Sequence, residues 1–151
     1  VSAATKLTAR FDVPYAPGEL KAIGLIQGKA VAEKILNTTG VPRQIRLIAD
    51  RNNIRADRND LSYVTVEIVD ADGRRIPNAD IPVRFSVTGA GELAAQGNGS
   101  PNTPASFRAP LRRTFEGRCL VILRPKGMPG SIQLKAEAEG LETSQITVTT
   151  R

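Results

Sequence analysis

The side chains that most often carry out catalysis are scarce in this sequence. Its 151 residues contain no histidine and no tryptophan, and the single cysteine, Cys119, lies in the apolar run GRCLVILRP. Histidine is the commonest general acid–base residue and metal ligand, and a lone cysteine can form neither an internal disulfide nor a thiolate zinc site. We therefore expect Cys119 to be a buried, unreactive thiol, and we predict no catalytic residue and no cofactor.

Carboxylates are the next candidates, because carboxylates from neighbouring loops bind Ca²⁺ when several oxygens converge. The loop aspartates are Asp57, Asp60, Asp70, Asp72 and Asp80. The segments ADRND and DADGRR lack the DxDxDG order and the closing glutamate of an EF-hand loop. We interpret these aspartates as turn residues that bind their own backbone, and we predict no metal site. The glutamates fall mostly at polar strand faces or in loops, and their spacing selects no pair suited to glycoside hydrolysis.

The segment GAGELAAQGNGSP, residues 89–101, is rich in glycine. It has neither the GxGxxG order of a dinucleotide-binding turn nor the GxxxxGK[ST] order of a phosphate-binding loop. We predict a loop, a short strand and a second loop, with glycines where the backbone needs positive φ.

The chain is basic, with a net charge of +6 and an isoelectric point near 10.0. Basic residues are densest in RAPLRRTFEGRCLVILRPK, which contains Arg108, Arg112, Arg113, Arg118, Arg124 and Lys126. No basic run exceeds two residues, and two tyrosines and four phenylalanines are too few to interleave as stacking platforms for nucleic acid. We interpret the arginines as a solvated basic face and predict no nucleic-acid partner. No apolar run approaches the ~20 residues of a membrane helix, so we predict no membrane partner.

Exposed aromatic rings would indicate a sugar-binding surface, because the apolar face of a pyranose stacks on a flat ring. Tyr63, which precedes Val64 in an alternating strand, is the best exposed candidate, and Phe115 in RRTFEG is the second. Together with Arg112 and Arg113, these rings are our candidate contacts for a glycan or a protein partner.

Alternation of apolar and polar residues predicts β structure almost throughout the chain. In DLSYVTVEIVD, Val64, Val66 and Ile68 fall on one face, and Val83 and Phe85 do the same after a turn. The run CLVILRP is apolar on both faces, as in a central strand. Short strands separated by turn signals predict an all-β, immunoglobulin-like antiparallel β-sandwich. The predicted strands are 5–13, 19–27, 30–37, 43–51, 62–70, 81–88, 91–96, 105–111, 118–124, 131–139 and 143–150.

The strands divide unevenly along the chain. Residues 40–151 supply enough strands for a complete immunoglobulin-like C-terminal domain, whereas 1–39 supply too few for a domain. We predict that 1–39 are the C-terminal strands of a preceding β-sandwich domain, with 20–36 forming two strands across a Gln-Gly turn. Because such strands lack a partner sheet, we expect them to pack on the second domain or to pair with another chain. The first residue is Val and no signal peptide precedes the fold, so we expect a piece of a longer protein.

An ordered set of segments resembles a known family. YAPGELKAIG (15–24) resembles the closing strands of the penultimate sandwich domain of glycoside hydrolase family 2 enzymes, the β-galactosidase-type proteins of Bacteroides-like bacteria. TGVPRQIRLIADRNNIRADRNDLSYVTVEIVDADGRRIPNADIPVRFSVTGAGELAAQGNG (39–99) and SFRAPLRRTFEGRCLVILR (106–124) resemble their C-terminal domain. Arg58 departs from the glycine that is common at its turn in such relatives. The resemblance covers about residues 11–150.

The resemblance implies a non-catalytic, structural accessory domain of a β-galactosidase, whose two catalytic glutamates lie in an upstream barrel that this chain lacks. It implies that the partners are the upstream catalytic and sandwich domains of the same chain, with an oligomer contact as a further role. It also implies a periplasmic, cell-surface or secreted location in a bacterium. Two alternatives stay open: a carbohydrate-binding module, and an immunoglobulin-like adhesin repeat, which shares the VTVEIVDADG-type strand and turn.

Overall fold

The computed structural model describes residues 8–151, and all the regular elements in that range are β-strands. The chain divides into two compact units, Val1–Thr38 and Thr39–Arg151. Within the described residues, no helix is long and apolar enough to cross a membrane. The assignment of residues 1–39 to a preceding sandwich domain stays a prediction.

The described part of the first unit contains an antiparallel hairpin of β1 (Glu19–Ile26) and β2 (Lys29–Asn37). Gln27 and Gly28 connect the two strands with φ values of 50° and 77°. Positive φ at both central residues is the type I′ geometry, whose twist matches the right-handed twist of the flanking strands. The predicted pair of strands across a Gln-Gly turn is confirmed.

The second unit is a sandwich of two sheets. Its strands are β3 (Gln44–Ala49), β4 (Asn53–Ile54), β5 (Ser62–Val69), β6 (Pro82–Gly89), β7 (Gly91–Gly97), β8 (Leu111–Arg113), β9 (Arg118–Pro125), β10 (Gly130–Glu137) and β11 (Ser144–Thr150). One sheet has the order β4-β11-β10-β6-β8 and the other has the order β3-β5-β9-β7. The strand pairs are antiparallel except for the short parallel pair of β4 and β11. This architecture confirms the predicted all-β antiparallel sandwich.

The core lies between the two sheets and is built by alternate residues of their central strands. The side chains that are fully shielded from solvent include Val64, Val66, Ile68, Val83, Val121, Leu123, Ile132, Leu134, Ala136 and Val148. Burying one valine, leucine or isoleucine side chain stabilises the fold by ~1.5–3 kcal/mol. Strand β9 lies between β5 and β7, which confirms the central position predicted from its apolar run.

Two strand predictions are wrong over the described residues. Residues 8–13 form no strand, and 5–7 lie outside the described range. Residues 105–110 also form no strand, and β8 begins only at Leu111. Three carbonyl groups of residues 105–110 accept hydrogen bonds from the side chains of Arg112 and Gln96, and two others accept single bonds from backbone amides, so no continuous ladder forms. The short strand β4 has no counterpart among the predictions.

Gly117 marks a close backbone approach that only glycine allows. Its φ is 74°, and a Cβ added there would lie 2.0 Å from the carbonyl oxygen of Ile76. Gly140 has the same φ of 74°, but a Cβ added to it would meet nothing within 4 Å. Substitution of Gly140 by alanine therefore introduces backbone strain alone, whereas substitution of Gly117 introduces the same strain together with a steric overlap.

We expect Gly117→Ala to lower the free energy of unfolding by ~2 kcal/mol or more beyond the effect of Gly140→Ala, because only the former forces the backbone apart. Urea unfolding of both variants, followed by circular dichroism, measures the difference. Equal losses in the two variants would show that the 76–117 approach does not constrain the fold.

Candidate functional site

Three of the four residues predicted to contact a ligand line one surface pocket. The pocket has a volume of about 380 Å³, and its lining includes Asp80, Asn98, Thr103, Arg112, Arg113 and Phe115. We call it the Phe115 pocket. Phe115 is 38% exposed, so part of its ring is open to a ligand. The pocket arises because β8 ends beside the loop that follows β7, which places polar loop residues opposite an aromatic ring.

One polar wall of the Phe115 pocket is an exposed ion pair. Arg113 Nε donates to Asp80 Oδ1 at 2.8 Å, and Arg113 Nη2 donates to the Asp80 carbonyl oxygen at 2.7 Å. Asn98 Nδ2 donates to the Arg113 carbonyl oxygen at 2.9 Å. Both charged side chains are more than half exposed, so their remaining hydrogen-bonding positions face solvent.

Arg112 is only 2% exposed, which corrects its placement on a solvated basic face. Its Nε donates to Gln96 Oε1, and its Nη2 donates to the carbonyl oxygens of Gln96 at 3.3 Å, Ala105 at 3.3 Å and Ser106 at 2.8 Å. Its guanidinium carbon also lies 5.7 Å from the centre of the Phe107 ring, a cation–π distance. The side chain turns inward because these backbone carbonyls have no strand to pair with.

Gln96 is the partner of Arg112 that the sequence prediction missed. It is almost fully buried, and its Nε2 donates to the carbonyl oxygen of Ala109 at 2.6 Å. Its side chain therefore spans the loop, with the amide nitrogen bound to the backbone and the amide oxygen bound to Arg112. The sequence gives little indication that Gln96 is buried, because its neighbours Ala95 and Gly97 show no alternation of apolar and polar residues. Its position within a predicted strand was the one available signal.

Tyr63 lies apart from this pocket. It projects from the outer face of the four-stranded sheet, is 40% exposed, and is paired across the ladder with Ile122. It is therefore as exposed as predicted, but it shares no cavity with Phe115. A contact of any of the four candidates with a glycan or a partner stays a prediction.

The two glutamates on this same sheet are held by arginines. Glu67 Oε2 accepts from Arg46 Nη2 at 2.6 Å, and Arg118 Nη2 lies 3.5 Å from Glu67 Oε1. Glu92 Oε1 accepts from Arg124 Nε at 2.9 Å and from Arg58 Nη2 at 3.0 Å. The bond from Arg124 holds the pKa of Glu92 below its usual value, against the effect of desolvation. A carboxylate kept ionised in this way is poorly suited to act as a general acid.

Of the five loop aspartates, Asp57, Asp60 and Asp70 bind backbone amides, as interpreted from the sequence, whereas Asp72 and Asp80 bind arginine side chains. Asp70 accepts from the amides of Gly40 at 2.8 Å, Asp72 at 3.0 Å and Arg74 at 2.8 Å. The bond from Gly40 is the main cause that lowers the pKa of Asp70. Asp57 accepts from two amides of its own turn, at 2.9 and 3.0 Å. Across residues 8–151, no group of three or more cysteines or carboxylates is placed to hold a metal ion.

Cys119 is buried on β9, as predicted. Burial raises the pKa of its thiol to about 12, despite the opposing effect of the nearby Arg112 charge. The thiol is therefore protonated at neutral pH, and a protonated thiol is a weak nucleophile.

Comparison with known families and proteins gives matches over most of the chain. The model of the glycoside hydrolase family 2 C-terminal domain 5 matches residues 45–147, and a domain of unknown function matches residues 2–32. A beta-galactosidase from Bacteroides ovatus is 41% identical over 142 residues, which are 94% of this chain and 17% of that protein. A beta-galactosidase from Thermoanaerobacter pseudethanolicus is 35% identical over 133 residues, which are 87% of this chain and 16% of that protein.

A solved structure is also similar to this chain in its fold. The crystal structure of a glycosyl hydrolase family 2 member from Bacteroides cellulosilyticus superposes with a TM-score of 0.95 at 39% identity. The match covers 99% of this chain and 19% of that one. The chain therefore spans less than a fifth of the length of each of these three relatives.

We expect Arg112→Met to lower the free energy of unfolding by ~2–5 kcal/mol, because it removes the donor from the buried carbonyl of Gln96 and from the partly buried carbonyls of Ala105 and Ser106. Arg113→Met is the matched control, and it should cost below ~1 kcal/mol because the Arg113–Asp80 pair is exposed. Urea unfolding of both variants tests this expectation. A cost for Arg112→Met as small as that for Arg113→Met would contradict the described role of the buried guanidinium.

The lowered pKa of Asp70 predicts a pH dependence of stability. A carboxyl group with a lower pKa in the folded state stabilises the fold fully above the pKa of the unfolded chain, near ~4, and loses that contribution as the pH falls further. We expect Asp70→Asn to remove part of the acid destabilisation of the wild type below about pH 4. Parallel slopes for wild type and Asp70→Asn would contradict the assignment.

Proposed function

The chain belongs to glycoside hydrolase family 2, whose C-terminal domain 5 it contains, and from that membership we propose that it is a non-catalytic structural domain of a β-galactosidase. Its role is to pack on the body of the enzyme and stabilise it. The hydrolysis of O-glycosidic bonds takes place in the part of the polypeptide that the matched relatives have in addition. A periplasmic, cell-surface or secreted location in a bacterium is part of the same proposal.

The observation that carries the proposal is how the charged side chains of the second unit are used. Glu67 and Glu92 bind arginines, and Asp70 binds three backbone amides. Each of these carboxylates supports the sandwich itself. A retaining or inverting glycosidase needs two carboxyl groups that face a sugar across a cleft, with one of them protonated. The bonding of these carboxylates supports a structural role over a catalytic one.

The hairpin of β1 and β2 supports packing on an upstream domain. Leu20 and Leu36 are paired across its strands, and their side chains are 49% and 60% exposed. Leu25 and Ile26 are more exposed still. An isolated two-stranded hairpin is marginally stable at best, and exposed apolar pairs such as Leu20 with Leu36 need a covering layer. We commit to one occupant, the sandwich domain that precedes β1 in the same polypeptide, because the matched relatives are about six times as long and a separate family model matches residues 2–32.

Substitution of a hairpin residue in the longer enzyme that contains this chain tests the proposal. We expect Leu36→Glu to lower the melting temperature of the enzyme by at least ~3 °C, because it places a charge in an apolar contact. The turnover number of the folded enzyme should remain within about twofold of wild type, since the residue acts on stability alone. Gln27→Glu, in the turn of the same hairpin, also adds one negative charge but lies outside the Leu20–Leu36 pair, and it should leave the melting temperature nearly unchanged.

Two outcomes would contradict the proposal. One is an unchanged melting temperature for Leu36→Glu, which would show that no domain covers the hairpin. The other is hydrolysis of p-nitrophenyl β-galactoside by the 151-residue chain alone, if that turnover is lost on heat denaturation. Family membership favours this role over the adhesin-repeat alternative, because the matched relatives are glycosidases rather than repeat arrays.

A further inference from the structure

We propose that the Phe115 pocket binds a saccharide unit that carries a carboxylate, such as a uronic acid within an oligosaccharide. The structural role proposed above does not require such a pocket. The inference rests on three properties of the pocket, which are its shape, its hydrogen-bonding groups and its charge.

The shape combines a cavity with an aromatic surface. A volume of about 380 Å³ lies within the ~300–1,000 Å³ that small-molecule sites occupy. The partly exposed ring of Phe115 and the exposed side chain of Leu111 both line it. An aromatic face beside an aliphatic side chain matches the C–H surface of a pyranose ring. Tyr63 lacks this setting, because it stands on an open sheet face.

The hydrogen-bonding groups suit a ligand with many hydroxyls. Each sugar hydroxyl can both donate and accept, and so it needs donors and acceptors side by side. Amides from Asn98 and Asn102, hydroxyls from Ser100 and Thr103, and the Asp80–Arg113 pair supply both kinds around the cavity.

Arg112 adds a donor at the base of this group. Its Nη1 has a single contact, 3.4 Å from Thr103 Oγ1, whereas its Nη2 bonds to three carbonyl oxygens. A nitrogen with one long contact retains capacity for a further acceptor. In the proposed complex, an oxygen atom of the bound saccharide accepts this further hydrogen bond from Arg112 Nη1.

The charge of the lining selects the class of saccharide. The pocket is lined by the cations of Arg112 and Arg113 and by the anion of Asp80. Asp80 is paired with Arg113, and no carboxylate of residues 8–151 lies within ion-pair distance of Arg112. A net positive lining with a largely desolvated guanidinium favours an anionic ligand, because Coulomb attraction strengthens as water is excluded. The arginines around Glu67 are neutralised in part and line no comparable aromatic cavity.

Calorimetric titration of the 151-residue chain tests the proposal, with tetragalacturonate as the acidic probe and galactotetraose as the neutral one. We expect saturable one-to-one binding of tetragalacturonate that weakens with salt and is at least ~5-fold tighter than binding of galactotetraose. Phe115→Ala should weaken it at least ~5-fold by removing the stacking surface.

Asn102→Asp is a second variant that leaves the fold intact, because the residue is exposed and the change is isosteric. It adds a negative charge to the pocket lining and should weaken the binding of tetragalacturonate at least ~3-fold. Gln145→Glu makes the same change of charge at an exposed position of β11, outside the pocket lining, and should leave the affinity unchanged.

Three results would overturn the proposal. The first is the absence of saturable binding of tetragalacturonate. The second is an equal loss of affinity in Asn102→Asp and Gln145→Glu, which would show non-specific attraction of a polyanion to a basic protein. The third is binding of galactotetraose as tight as that of the acidic probe. The test is independent of the hairpin experiment, because the lining of the Phe115 pocket lies within residues 80–115.

Discussion

Burial of the alternate aliphatic side chains of β5, β9, β6 and β10 is the interaction on which the second unit depends. The one cysteine is free, and the described residues contain no helix that could cover a sheet, so the two sheets must cover each other. Because side chains alternate along a strand, each residue that faces the core sends its neighbours outward. Val66 and Ile68 thereby fix Glu67 on the outer face, and the ladder register sets Arg46 and Arg118 beside it. The arginine–glutamate cluster on that face is thus a consequence of core packing.

In the loops, polar side chains form hydrogen bonds with backbone groups that belong to no β-ladder. Asp70 binds three amides in the turn after β5, and Thr114 Oγ1 both donates to the Ala79 carbonyl at 2.8 Å and accepts from the Ile81 amide at 2.9 Å. Gln96 and Arg112 perform the same task for carbonyls of residues 105–109. Unpaired buried backbone groups are costly, so polar side chains are recruited to the inside of the fold.

Local pattern is what made most of the strands predictable. Alternation located β5, β6, β9, β10 and β11 to within one or two residues, and the Gln-Gly turn located the hairpin. The pattern fails in β8, where Arg112 is buried and its neighbours Leu111 and Arg113 are exposed, the reverse of what hydrophobicity indicates. The reversal depends on carbonyl groups that the loop before β8 presents to Arg112. Two adjacent arginines look alike in sequence, and only this contact distinguishes them. For the same reason, Phe115 and Arg113 were identifiable as candidates, but their meeting in a single pocket was not.

The buried guanidinium of Arg112 also lines the Phe115 pocket, and its burial has an energetic cost. Removing a charge from water costs several kcal/mol unless a counter-charge is close, and neutral carbonyl groups offset only part of that cost. A hydrophobic side chain of similar volume would fill the space at less cost, provided that the loop carbonyls found other donors. In this chain the loop carbonyls have Arg112 as their donor, so the guanidinium stabilises the loop that it is buried against. The same bonds fix its orientation at the edge of the Phe115 pocket. A cation that is held for the sake of the loop is therefore already oriented for the binding role that we propose, and that role adds no further cost of desolvation in the unbound protein.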